Sequence, residues 1–93
     1  MRTIETARSF RRDLKRARRG PVGSKLDDLL QVAIELLAAN GPMPPRYRDH
    51  PLSGDWKDHR DCHLRPDLVH IYRKPDADTL QLVRLGSHSE LGI

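Results

Sequence analysis

Hydrophobic periodicity changes once along this 93-residue chain, and that change sets the fold class. Up to residue 40 the apolar residues recur every three or four positions, and from residue 56 they alternate. Leu26, Leu29, Leu30, Ala33, Ile34 and Leu37 follow the i, i+3, i+4, i+7, i+8, i+11 pattern of a helix with one buried face. Ser24 is placed to cap that helix, Asp27 and Asp28 suit its positive N-terminal end, and Asn40-Gly41-Pro42 stops it. Ala7, Phe10, Leu14 and Ala17 form a narrower stripe, so residues 7–19 read as an earlier helix, closed by Gly20-Pro21-Val22-Gly23. The short connection predicts an antiparallel helical hairpin.

The second half reads differently. Residues 43–55, with Pro44, Pro45, Pro51 and Gly54, read as a loop. Residues 56–64 (WKDHRDCHL), 68–73 (LVHIYR) and 79–85 (TLQLVRL) read as three strands, separated by turns at Arg65-Pro66-Asp67 and Lys74-Pro75-Asp76. Residues 2–6 carry a fainter strand pattern, and GSHSELGI reads as a tail. The expected architecture is α+β, with two N-terminal helices on one face of a small, mainly antiparallel sheet and residues 1–93 as one domain. The other sheet face is left free to bind.

Charge is unevenly placed. Residues 1–20 hold eight Arg/Lys against Glu5 and Asp13, a net +6, and the remainder holds nine basic and eleven acidic residues, a net −2. A cationic segment of this kind suits either a solvated helix face or a polyanionic partner such as RNA or DNA. No apolar run approaches the roughly 18 residues of a membrane span. MRTIETARSF lacks the apolar core of a signal peptide, and Cys62 is the single cysteine. A reducing, cytoplasmic setting without membrane association is expected.

Five histidines are present, four of them (His50, His59, His63, His70) between residues 50 and 70, with His88 in the tail. Histidine titrates near neutrality and serves as a general acid or base. RNA cleaves itself when its 2′-hydroxyl is deprotonated and the departing 5′-oxygen is protonated. Such a reaction needs a base, an acid and cations for the phosphate, and the histidines, Asp67, Lys57, Arg60, Arg65 and Arg84 are the residue types required. Each has a plainer reading. His50 sits in a proline-flanked loop, Asp67 suits turn chemistry, His59 reads as an exposed strand residue, and His70 lies inside the apolar strand LVHIY. Trp56 suits either base stacking or packing at the core edge. A metal site is not expected. His59 and His63, with Cys62 beside them, have helix spacing on a strand pattern, and paired CxxC motifs are missing. No cofactor fingerprint is present either.

The stretch YRDHPLSGDWKDHRDCHLRPDLVHIYR, followed by LVRLGSHSEL, resembles the YafQ branch of the RelE/ParE toxin superfamily. The pattern D-H-P-L-x-G-x-W-K-x-x-R-D-x-H-x-x-P-D is long and specific, and FRRDLKRARRG is similar to the family's basic helix. The resemblance implies a toxin of a type II toxin–antitoxin system, an endoribonuclease that cuts mRNA on the ribosome without a metal. It implies a DinJ/RelB-like antitoxin as partner, with the ribosome's RNA and mRNA as targets. His50, His63, Asp67 and His88 fall on the family's catalytic positions, with His88 foremost in proton transfer. Arg60 and Arg84 fall on basic positions near the scissile phosphate, and Trp56, Lys57 and Arg65 complete the expected substrate contacts. Leu68 stands where the family carries Trp, and Gly92-Ile93 follows Leu91 where it carries an aromatic. The rival readings are a ParE-like poison of DNA gyrase and an RNA-binding module without catalysis.

Overall fold

The computed structural model describes residues 1–93. Its elements are β1 (Thr3–Thr6), α1 (Arg8–Arg18), α2 (Gly23–Ala38), β2 (His50–Pro51), β3 (Arg60–Arg65), β4 (Leu68–Arg73), β5 (Thr79–Gly86) and α3 (His88–Leu91). Short 3-10 turns lie at Pro45–Tyr47 and Gly54–Trp56. The strands form one sheet in the order β1-β5-β4-β3-β2. β1 runs parallel to β5, and every other pairing is antiparallel. The α+β class and the two N-terminal helices are as expected.

Three local expectations give way. Residues 56–59 are not strand, because Gly54 (φ +63°) and Asp58 (φ +70°) bend the chain through left-handed steps that no strand holds. The segment before them is not all loop, since His50 and Pro51 pair with Asp61 and Arg60 as an edge strand. Ser24 is not the cap of α2, which starts at Gly23 with Val22 before it and no side-chain cap. The cause is the tightness of the hairpin, for a Cβ at Gly23 would collide with the Arg18 carbonyl. The Arg18–Asp27 ion pair at 3.0 Å lies across the same corner.

Alternation divides the sheet into two faces. Leu68 and Tyr72 of β4, Cys62 and Leu64 of β3, and Leu80, Leu82 and Leu85 of β5 pack with Phe10, Leu26, Leu30, Ala33 and Leu37 of the helices. Val69 and Ile71 point the other way, and the chain's end covers them. GSHSELGI is no free tail, because Leu91, 5% exposed, closes a second small core with Val69 and Ile71, and Leu52, Trp56 and Val83 pack around it. Truncating Leu91 to Ala should cost about 2–3 kcal/mol. Urea unfolding measures that loss, and cleavage by the residual folded protein should fall too, because Leu91 anchors α3.

β1 ends at Thr6, opposite Leu82, leaving the rest of the β5 edge unpaired. Helix α1 lies along that edge and supplies partners. Ala7 N–H donates to Leu82 O (2.9 Å), Ser9 Oγ donates to Val83 O (2.7 Å), and Leu85 N–H donates to Asp13 Oδ2 (3.0 Å). This is why Asp13 is fully buried in an otherwise basic helix.

Candidate active site

Alternation along β3 sends Cys62 and Leu64 toward the helices and Asp61 and His63 toward the opposite face. The Pro66-Asp67 turn places Asp67 at the end of the β3–β4 hairpin. His88 is the first residue of α3. That helix is set by a reciprocal cap, in which Glu90 N–H donates to Ser87 Oγ (3.1 Å) and Ser87 N–H donates to Glu90 Oε1 (2.9 Å). The three elements bring the side chains into a row. His88 Nδ1 lies 2.6 Å from Asp67 Oδ1, which also accepts from the His88 backbone N–H at 3.0 Å. His88 Nε2 lies 3.1 Å from His63 Nε2, and the His63 ring stacks on His50 with centroids 6.2 Å apart. Hydrogen bonds from the His88 backbone and ring hold the Asp67 carboxyl below its ordinary range.

The partners assign the ring protons. His50 Nδ1 faces two acceptors, Arg48 O at 2.7 Å and Asp61 Oδ1 at 3.0 Å. His63 Nδ1 faces Tyr47 O at 3.3 Å, and His88 Nδ1 faces Asp67. Every Nδ1 therefore carries its proton. The two Nε2 atoms of His63 and His88, 3.1 Å apart, are at hydrogen-bond distance, so a proton on either one makes the contact a hydrogen bond between the rings.

The backbone that holds two of these rings is itself tied down. The 3-10 turn Pro45–Tyr47 ends at Arg48, whose left-handed conformation (φ +47°) turns its carbonyl onto His50. Next to it, Asp49 accepts from the buried Tyr72 hydroxyl at 2.6 Å and from Arg60 Nε at 3.3 Å. Tyr72→Phe should cost about 1–2 kcal/mol in chemical denaturation. It should also lower cleavage, because the loop carrying Tyr47 O and Arg48 O loses its anchor.

The expected residues separate into two groups. His50, His63, Asp67 and His88 come together, with Arg65 beside them at the hairpin end. The others point elsewhere or are engaged. Arg60 pairs with Asp49, and Arg84 Nε lies 2.6 Å from Asp13. Lys57 is exposed on the bend before β3. Trp56 packs beside the second small core and lines a hollow of about 660 Å³ with Leu52, Leu91 and Ile93. His59 lies on the same bend, its Nδ1 3.0 Å from Lys57 O. Cys62 and His70 belong to the helix-side core, with Sγ and Nδ1 3.7 Å apart. No three ligating side chains converge on one point.

Asp61 escaped the sequence reading. It is 2% exposed beneath His50. Burial raises its carboxyl pKa, and His50, His63 and His88 oppose that rise. Strict alternation from His63 would have placed Asp61 on the same face. Nothing in the sequence marks the two loop carbonyls.

The family model described as "Bacterial toxin of type II toxin-antitoxin system, YafQ" matches residues 2–92. The mRNA interferase toxin YafQ of Escherichia coli K12 is 37% identical, the match covering 97% of this chain and 95% of that protein. A copper-bound mutant toxin from Helicobacter pylori superposes with a TM-score of 0.89 at 37% identity, over 98% of this chain and 99% of its own. YafQ in the E. coli DinJ–YafQ complex superposes at 0.79 with 34% identity, covering 98% of each chain.

Proposed function

The chain belongs to the YafQ family of bacterial toxins from type II toxin–antitoxin systems, and from that premise we propose that it is a ribosome-dependent mRNA endoribonuclease. The observation that carries this reading is the 3.1 Å contact between His63 Nε2 and His88 Nε2, with His88 braced by Asp67, which we read as a pair that shares one proton. One neutral and one protonated imidazole are what phosphodiester cleavage by the 2′-hydroxyl needs. The neutral ring takes the 2′-hydroxyl proton as the oxygen attacks the adjacent phosphate. The protonated ring gives its proton to the departing 5′-oxygen. The products are a cyclic phosphate and a 5′-hydroxyl, and the pair ends with the single shared proton it began with. The positive charge of the pair, with Arg65 close by, also opposes the charge that gathers on the phosphate.

The other parts follow from placement. Arg8, Arg11, Arg12 and Lys15 are exposed on α1, with Arg19 just past its end, and there they hold ribosomal RNA through its phosphates. A DinJ-like antitoxin is the natural partner, as in the DinJ–YafQ complex. No helix is long and apolar enough to cross a membrane, and the proposed target places the protein in the cytoplasm.

Primer extension on mRNA from cells induced for this chain, beside a His88→Ala control, tests the reading. Discrete cuts at in-frame codons that vanish in the control support it. Intact mRNA in both samples sinks it, and gyrase inhibition becomes the next assay.

A further inference from the structure

Two grooves flank the histidine row, and their charges differ. One, of about 510 Å³, runs between the end of α1 and α3. Its Arg16 is tied to Glu90 at 3.2 Å and to Asp13 at 3.2 Å, Asp67 adds a further acid, and Arg65 lines both grooves. The other, of about 800 Å³, runs between α2, the Pro45–Tyr47 turn and the end of β3, and His63 forms part of its wall. Lys25, Arg46, Arg48 and Arg65 line it against a single acid, Asp28, and none of these four cations makes an ion pair. Its floor is apolar, formed by Leu29, Val32 and Leu64, and Val32 is 47% exposed.

We propose that this larger groove is a subsite for the single-stranded RNA next to the scissile bond. The inference rests on the ribonuclease reading, since it places the reacting phosphate at the His63–His88 pair. A strand held there continues past His63 into the groove. Unpaired cations along a rim suit successive phosphates, and an apolar floor suits the faces of unstacked bases. The balanced groove on the α1 side offers the strand no such hold.

Affinity for a short fluorescent single-stranded RNA, measured on the His88→Ala background so that nothing is cut, gives the test. Lys25→Gln with Arg46→Gln should reduce the slope of log affinity against log salt by about 1.4, since each phosphate contact on a single strand contributes about 0.7. With His88 restored, the same pair should raise KM on ribosome-bound mRNA several-fold and leave kcat unchanged. Lys25 and Arg46 are exposed and outside every ion pair; Arg46 lies over the Tyr47 ring, 4.9 Å from its centroid, so urea unfolding of the double variant checks that the fold survives. An unchanged slope overturns the proposal. So does loss of co-purifying antitoxin with RNA binding intact, which would make the groove a peptide site. A groove-dependent slope in a protein whose His88 form cuts nothing would keep the groove as an RNA site but overturn the ribonuclease reading, and with it the groove's place beside a scissile bond.

Discussion

His88→Ala is expected to slow mRNA cleavage by about 10²–10⁴-fold, the usual worth of a placed general acid or base. The unfolding free energy should change by less than about 1 kcal/mol. The split follows from position. The ring of His88 is half-exposed, and its contacts are polar ones to Asp67 and His63, whereas α3 is anchored by Leu91 and the Ser87–Glu90 cap. His63→Ala should cost a similar factor, because either change removes the partner that shares the proton. The double variant is then the informative one. Residues acting as a unit are strongly non-additive, so losing both rings should cost about as much as losing one. Single-turnover cleavage of ribosome-bound mRNA measures all three. Multiplying losses would mean that the rings act independently, and the shared-proton mechanism would fall.

Periodicity made the scaffold legible. Burial of one helix face leaves a 3.6-residue pattern and burial of one strand face leaves alternation, so α1, α2, β4 and β5 could be read to within a residue or two. The segment from Met43 to His59 could not, because φ/ψ choices rather than burial decide it. Arg48 and Asp58 take left-handed conformations without being Gly or Asn, and no pattern announces them. The site divides the same way. Strand alternation puts His63 and Asp61 on one face and the Pro-Asp turn puts Asp67 at the hairpin end, but neither pattern marks a site, so His63 and Asp67 became candidates through the family resemblance and Asp61 was missed. His88 became a candidate only through the family resemblance, because four residues are too few for a helical period and Leu91 alone marks the buried side. Asp13 is the clearest case of hidden logic. In sequence it is one acid among arginines, and its use appears only once β5 is seen to have an unpaired edge. The surroundings of the expected substrate cations were hidden for a related reason. Composition counts charges but says nothing of their partners, and Asp49 and Asp13 take up Arg60 and Arg84.

His70 makes the core sensitive to acid, and replacing it with Leu should remove that sensitivity. The ring is fully buried between Phe10 and Tyr72, with centroids 5.6 and 5.8 Å away. Its Nδ1 faces Cys62 Sγ, and burial pushes that thiol up to about 12, so it stays protonated and can donate. The imidazole proton then sits on Nε2, which has no partner. Burial alone lowers the His70 pKa to about 4. Between about pH 6.5 and about pH 4 the unfolded chain takes up a proton that the folded one excludes, so stability falls as the solution is acidified. By about pH 5 this group alone should remove about 2 kcal/mol relative to neutrality. His70→Leu should gain about 1–2 kcal/mol at neutral pH by deleting the unpaired donor, and that advantage should widen as pH falls. Urea unfolding of both proteins across this range is the measurement. Taking the difference between them cancels the carboxylates, including Asp61 and Asp67, whose shifts run in opposite directions. A difference that stays flat with pH would mean that the folded protein admits the proton, and His70 would then have to be hydrated or charged inside the core.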